Sequence, residues 1–288
     1  MSQAAGGLRH VASDLGFTAS DDVVLVLALA PAASAGELVA EQVNVTSNGG
    51  GPQPVVSELA GADGSRMHVV RAGAGELLIS YSATVRAAPA PPVAAPGTAP
   101  DEVAGGLVDA DAIVALRQSR FCPSDALAGF AAGEFGNLEP GTDLARSVAD
   151  WVFERIAYEP GSSGPLDTSV DTLLSGAGVC RDFAHLTIAL CRALGVPARL
   201  AAVYAPGLSP MDFHAVVEVR RGGLWEVHDP TRLAPRSSLV RIATGRDASD
   251  TAFATTLSGT IELTTQSVFA VVDGDLPLDD HVTPVGLA

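Results

Sequence analysis

The chain has 288 residues, 47% of them hydrophobic, and a formal net charge of −16; arginine supplies every basic side chain, because no lysine occurs. This length exceeds the usual single domain and points to two, the apolar share is ample for a core, and the acidic balance excludes nucleic acid and anionic membrane surfaces as partners. No run approaches ~18 uninterrupted apolar residues, and the opening M-S-Q-A-A-G-G-L-R-H has no basic segment followed by an apolar one, so a soluble, cytoplasmic protein is expected.

Residues 1–86 read as a β-rich N-terminal domain. Val23 to Ala30 is a short apolar run, Glu41 to Thr46 alternates, Met67 to Arg71 is β-branched, and Glu76 to Val85 alternates through L-L-I-S-Y-S-A-T-V. Glycine and proline punctuate the intervals, as in N-G-G-G-P-Q-P, and a small antiparallel sandwich is the expected product. Residues 87–104 form a Pro/Ala-rich linker: five prolines between 87 and 100 remove backbone donors and fix φ, which prevents a helix or an interior strand.

From 105 to 288 the pattern is that of a second domain, helical at first. Ser124 or Asp125 is placed to cap a helix running toward Gly136, and Leu144, Val148, Trp151, Val152 and Ile156 make an apolar stripe in a helix starting near Thr142. Thr168 with Asp171 resembles a capping box, opening a short helix that stops at Gly176. Then comes G-A-G-V-C-R-D-F-A-H-L-T-I-A-L-C-R-A-L-G-V-P, a glycine turn and a helix with its apolar face at Phe183, Leu186, Leu190 and Leu194, stopped by Gly195 and Pro197. Strands return at Arg199 to Tyr204, Phe213 to Arg220 and Leu224 to His228, with a last candidate at Ser267 to Val272. The fold class is therefore α+β.

The three cysteines, Cys122, Cys180 and Cys191, match neither an even disulfide set nor a C-x-x-C metal pattern. Cys180 and Cys191 share one helix about 16 Å apart at ~1.5 Å per residue, too far to bridge, which suits a reducing compartment. Cys180 lies where a glycine turn meets a helix start, so unpaired N–H groups and the positive helix end favour its thiolate, and Arg181 adds a neighbouring charge. Cys191, amid Leu190 and Leu194, reads as core.

A nucleophilic thiol needs a base, and the base an orienting partner. One hairpin offers both. His214 opens the strand F-H-A-V-V-E-V and Asp229 closes the return strand L-W-E-V-H-D. A two-residue loop at Arg221 and Gly222 sets His214 opposite Asp229, whereas a loop at Gly222 and Gly223 sets it opposite Thr231 and leaves Asp229 a diagonal neighbour on the same face. A three-residue loop sends the two side chains to opposite faces. His185, about 140° around the helix from Cys180, points away from the thiol, and His228 faces the other side of its strand from Asp229. Asp182 suits the first turn of its helix whatever the chemistry. The backbone N–H of Cys180 is the first donor for a developing oxyanion. Gln118, Trp151 and Trp225 are candidates for a second, although ordinary packing or exposure accounts for each.

The run G-V-C-R-D-F-A-H-L-T-I-A-L-C-R-A-L-G-V-P-A-R, followed by D-F-H-A and W-E-V-H-D-P-T, resembles the transglutaminase-like superfamily, and specifically its bacterial cysteine-protease members. L-R-Q-S-R-F-C-P-S-D and L-V-R-I-A-T-G-R-D-A-S-D-T-A-F look like further stretches of that group, extending the resemblance over residues 105–272. It implies a papain-like catalytic core preceded by a β-sandwich domain, and a triad that maps onto Cys180, His214 and Asp229. Val216, Val217 and Val219 follow His214 where many relatives carry a tryptophan, so no aromatic wall is carried over.

Superfamily members include cross-linking transglutaminases, peptide hydrolases, glycan-removing amidases and inactive scaffolds, and the active ones share only thiol attack on an amide carbonyl. The expected function is cleavage of peptide or isopeptide amides through a thioester, with water as acceptor. Transfer to an amine and a catalytically silent peptide-binding module are the alternatives. The expected partner is a peptide or protein substrate, with no cofactor and no metal. The chain lacks a D-x-D-x-D-G calcium loop.

Overall fold

The computed structural model describes residues 7–49, 52–61, 64–95, 109–138 and 143–288; linker residues 96–104 and the helix start expected at Thr142 lie outside them. Six strands open the chain: β1 (Leu8–Ala19), β2 (Val23–Leu27), β3 (Gly36–Ser47), β4 (Val55–Ala60), β5 (Arg66–Ala72) and β6 (Gly75–Ala87). They form two antiparallel sheets, ordered β1-β6-β3 and β2-β5-β4, over one core. The period of two carries the burial. Leu77, Ile79, Tyr81 and Ala83 of β6 point into that core, as do Val23, Leu25 and Leu27 of β2. β1 has no counterpart among the expected strands. It buries Val11, Leu15 and Phe17, but Arg9, His10, Asp14 and Gly16 interrupt the pattern that would announce it.

The helical segment follows as α1 (Ala110–Leu116), α2 (Ala128–Phe135), α3 (Leu144–Arg155), the two-residue strand β7 (Ala157–Tyr158), α4 (Ser169–Ser175), the two-residue strand β8 (Ala177–Gly178) and α5 (Cys180–Ala193). The N-cap of α2 is Leu127, not Ser124 or Asp125, because those two lie in a preceding turn in which Leu127 donates to the Ser124 carbonyl. α3 is capped by Asp143, which accepts from Arg146 N at 3.2 Å. The Thr168–Asp171 capping box is present, and α4 ends at Gly176 with φ 69°.

A second antiparallel sheet system holds β9 (Ala198–Tyr204), β10 (Phe213–Arg221), β11 (Leu224–His228) and β12 (Val240–Gly245) in the order β11-β10-β9-β12. Leu186 and Leu190 of α5 pack with Leu200, Val217 and Val219 of this sheet, and α2 and α3 add Ala131, Phe135, Val148 and Val152. Val203, Val216, Val227, Leu239 and Leu287 form a separate core. Glu218, fully buried, is held by Arg199 at 2.8 Å and by Arg241 at 2.6 and 2.9 Å, which leaves no uncompensated carboxylate inside the sheet.

The last elements, α6 (Ala248–Thr251), β13 (Ala254–Ser258) and β14 (Ile261–Val272), correct the division of the chain at residue 105. β13 pairs with β2 and β14 with β1, completing sheets β14-β1-β6-β3 and β13-β2-β5-β4. Thus 254–272 hydrogen-bonds within the N-terminal sandwich, not with the segment that precedes it. The reason is edge satisfaction: β1 and β2 would otherwise expose unpaired N–H and C=O groups along their outer sides. The chain after β14 then turns back to the other sheet, where the Val285 carbonyl accepts from Val227 N and Asp279 engages Arg236 at 2.8 Å.

Candidate functional site

Cys180 is the first residue of α5 and half-buried. The turn before it is tight. A Cβ at Gly178 would lie 2.6 Å from the Cβ of Asp182, so only glycine permits this approach. Asp182 turns back to accept from Val179 N at 2.9 Å, from Ser163 Oγ at 2.5 Å and from Arg181 Nη2 at 3.0 Å. Its role is to fasten the start of α5, as its first-turn position suggests. Arg181 also donates to the Gly164 carbonyl at 2.8 Å, tying the 160s loop to the same helix end.

The β10–β11 hairpin settles the register. Arg221 pairs with Leu224 and Val217 with His228, so the loop is Gly222–Gly223, with φ 56° and 78°. Two consecutive positive φ values match the paired-glycine hairpin turn. His214 therefore stands in register with Thr231, and Asp229 is its diagonal neighbour. Nε2 of His214 lies 2.9 Å from Oδ2 of Asp229, with both side chains fully buried. The other carboxylate oxygen accepts from Thr231 Oγ1 at 2.7 Å and Thr231 N at 2.9 Å.

Nδ1 of His214 is buried and has no hydrogen-bond partner among the described residues. The Thr231 hydroxyl lies 3.5 Å from Nε2, while Cys180 adds to the ring's proton affinity and its sulfur lies 4.0 Å from the carbonyl oxygen of the adjoining Phe213. The arrangement thus brings His214 and Asp229 into direct contact and sets the sulfur of Cys180 against the main chain of the residue before His214. Burial by itself lowers the proton affinity of His214, but the charge and hydrogen bond of Asp229, followed by Cys180, overturn this and raise it to about 10. Asp229 goes the other way: burial opposes its charge, yet His214 and Thr231 hold its carboxyl below the usual 3.8.

The remaining candidates fall elsewhere. His185 is buried, stacks on Phe121 at 5.2 Å and accepts from Ala248 N at 3.1 Å; burial pushes it down to about 4. His228 is buried 3.3 Å from Glu226. Burial raises Cys122 and Cys191 to about 12 each. Trp151 donates to Glu134 at 3.1 Å and meets Phe130 edge-on, and Trp225 lies beneath Arg199 at 3.9 Å, so both tryptophans are engaged in packing. Gln118 is exposed beyond α1.

Two residues at the site escaped the reading of the sequence. Thr231 stands in the quoted D-P-T, where Asp followed by a hydroxyl residue is a turn signal, but nothing local says that its hydroxyl braces Asp229. Tyr158 has no signal at all, because β7 is two residues long and its partner β8 lies beyond α4. Among the described residues there is no group of three or more His, Cys, Asp or Glu able to hold a metal ion, and no helix is long and apolar enough to cross a membrane.

Residues 129–230 match the model of the Transglutaminase-like superfamily. Over its whole length the chain is similar to a crystal structure named "Putative Cysteine Protease from Cytophaga hutchinsonii", with 31% identity, coverage of 100% of this chain and 99% of that one, and a TM-score of 0.86. An uncharacterized protein of Mycobacterium leprae is 31% identical over 119 residues, 37% of this chain and 41% of the relative. One from Mycobacterium tuberculosis is 37% identical over 90 residues, 31% of this chain and 27% of the relative. The match thus spans less than half the length of either mycobacterial protein.

Proposed function

The chain belongs to the transglutaminase-like superfamily, and on that premise we propose that it is a cysteine-dependent amide hydrolase or acyl transferase acting on peptide or isopeptide bonds through Cys180, His214 and Asp229. The observation that carries the reading is the buried 2.9 Å contact of His214 with Asp229, with the sulfur of Cys180 4.0 Å from the carbonyl oxygen of the adjoining Phe213. The cysteine-protease name of the full-length structural relative supports a peptide bond as substrate.

In this reading the sulfur of Cys180 attacks the amide carbonyl carbon while its proton resides on Nδ1 of His214. The C–S bond forms and the carbonyl electron pair moves to oxygen. On collapse the C–N bond breaks, His214 gives its proton to the departing amine, and a thioester remains. Water, or an amine, then gives a proton to His214 and takes the acyl group, and the thiol is restored. A ring that stays protonated well above neutral pH suits the donor role, and Asp229 keeps Nε2 oriented through the cycle. The three free cysteines favour a cytoplasmic setting.

Iodoacetamide at neutral pH tests the nucleophile. Cys180 is expected to be alkylated at least tenfold faster than Cys122 or Cys191, since both of those are buried and hold their protons to about 12. Equal labelling of the three would sink the reading, as would a Cys180→Ala variant that keeps full amidase activity on casein-derived peptides. If thioester turnover accelerates on adding methylamine and yields the methylamide, the acceptor is an amine; release of free acid alone identifies water.

A further inference from the structure

A carboxylate near the sulfur answers no cation. The carbonyl oxygen of Phe213 lies 4.0 Å from the sulfur of Cys180, and Asp212 is the residue before it. The Asp212 side chain is exposed, yet its position is fixed. Oδ1 accepts from Phe213 N at 2.7 Å and from Gln266 Nε2 at 2.6 Å, while Oδ2 takes no hydrogen bond among the described residues. Phe213 is clamped in turn, stacked on Phe253 with centroids 5.0 Å apart and planes at 18°, and meeting Tyr204 at 5.6 Å. Asp143, Asp182 and Asp279 each meet an arginine, but among the described residues Asp212 meets none. Arg181, next to Cys180, is already engaged by Asp182 at 3.0 Å and by the Gly164 carbonyl at 2.8 Å.

From this geometry we propose that Asp212 is a specificity-determining residue whose open carboxylate oxygen takes the cationic side chain, arginine or lysine, of a peptide substrate beside the bond that Cys180 attacks; this rests on the thiol-attack reading above. An unpaired carboxylate draws a cation and repels an anion, and a guanidinium or ammonium can approach Oδ2 without displacing the two donors on Oδ1. The charge is felt on the nucleophile's side as well. Tyr158, paired with Gly178 two residues before Cys180, holds its proton to about 12 through burial first and then through the negative charges of Cys180, Asp212 and Asp229. The placement also gives the sandwich a share in recognition: Gln266 belongs to β14, so the acid is set from the sandwich side as well as by its own chain.

The test reads the field at the sulfur with three methanethiosulfonates on the intact chain: trimethylammonioethyl, sulfonatoethyl and neutral methyl. In each reaction the Cys180 thiolate forms a disulfide bond and methanesulfinate leaves. Asp212→Asn keeps Oδ1 for its two donors and removes only the charge. Asp22→Asn, in the exposed turn before β2, changes the net charge equally but lies about 20 Å along β14 from Gln266 at ~3.3 Å per residue. Because the two charged reagents respond in opposite directions, about threefold each, their rate ratio is expected to fall about tenfold in Asp212→Asn. The ratio should stay within about twofold in Asp22→Asn, and so should the neutral reagent's rate in both variants, since neither change touches a neutral approach. With peptide coumarin amides, KM for an arginine beside the scissile bond should rise about fivefold in Asp212→Asn, and KM for glutamine there should not. An unchanged ratio overturns the proposal, as does an equal change in Asp22→Asn, which would make the effect one of net charge. A neutral rate that falls with the others shows that Asp212 merely positions Phe213, and overturns it too. A wild-type Cys180 that reacts with none of the three reagents defeats the thiol-attack reading itself.

Discussion

Asp229→Asn isolates the charge that holds His214. Asparagine keeps an acceptor about where Oδ2 sits, 2.9 Å from Nε2, but removes the negative charge. The ring's proton affinity stands at about 10 against an ordinary 6.5, a difference of three to four pH units, on the order of 5 kcal/mol at ~1.4 kcal/mol per unit. After burial, which works against the proton, Asp229 is the first cause of that rise and Cys180 follows. Without the carboxylate the ring is therefore expected to lose its proton about three pH units lower, at neutral pH or below. The assay is a titration of ¹⁵N-labelled imidazole resonances, with the Cys180→Ala variant reporting the smaller share due to sulfur. Stability carries the same signature. His214's folded value lies above its unfolded one, so its contribution is complete below about pH 6.5 and disappears as pH rises toward about 10. Asp229's value is depressed, so its contribution is present above 3.8 and is lost as pH falls below it. The melting-temperature gap between wild type and Asp229→Asn should accordingly be widest between about pH 4 and 6.5 and narrow on approach to 10. A variant ring titrating with the wild-type ring would refute the reasoning.

Thr231→Val removes the 2.7 Å hydroxyl bond to Asp229 while leaving the backbone bond, so Asp229 should titrate higher and unfolding free energy should drop by ~1.5–3 kcal/mol, read by urea denaturation. Glu218→Ala strands Arg241 and Arg199 against a buried sheet, with an expected loss of ~3–5 kcal/mol in the same measurement; a loss under 1 kcal/mol would show that the cluster is hydrated. Gly178→Ala forces a Cβ to within 2.6 Å of the Asp182 Cβ, which must displace the start of α5. Alkylation of Cys180 should slow by at least tenfold in that variant, and an unchanged rate would mean that the turn yields without moving the sulfur.

Much of the site was legible before any coordinates. The glycine turn, the helix beginning at Cys180 and the apolar strands bearing His214 and Asp229 are local patterns, and local patterns survive in the sequence because burial repeats every 3.6 or 2 residues. The hairpin left two registers with the pair on one face and a third with it on opposite faces, and Gly222 and Gly223, both at positive φ, chose among them. The cap of α2 was misplaced by a few residues because Ser124 and Asp125 serve a turn just as well as a helix start.

Three matters belonged to the tertiary structure alone. β13 and β14 return to the sandwich, Thr231 braces Asp229, and Tyr158 pairs with Gly178 across α4. Sequence determined which residues make helices and strands and which thiol, imidazole and carboxylate were available. It could not specify which strand completes an edge, since backbone hydrogen bonds are alike for every residue, nor which short strands meet across an intervening helix, since that pairing exists only after the chain has closed on itself.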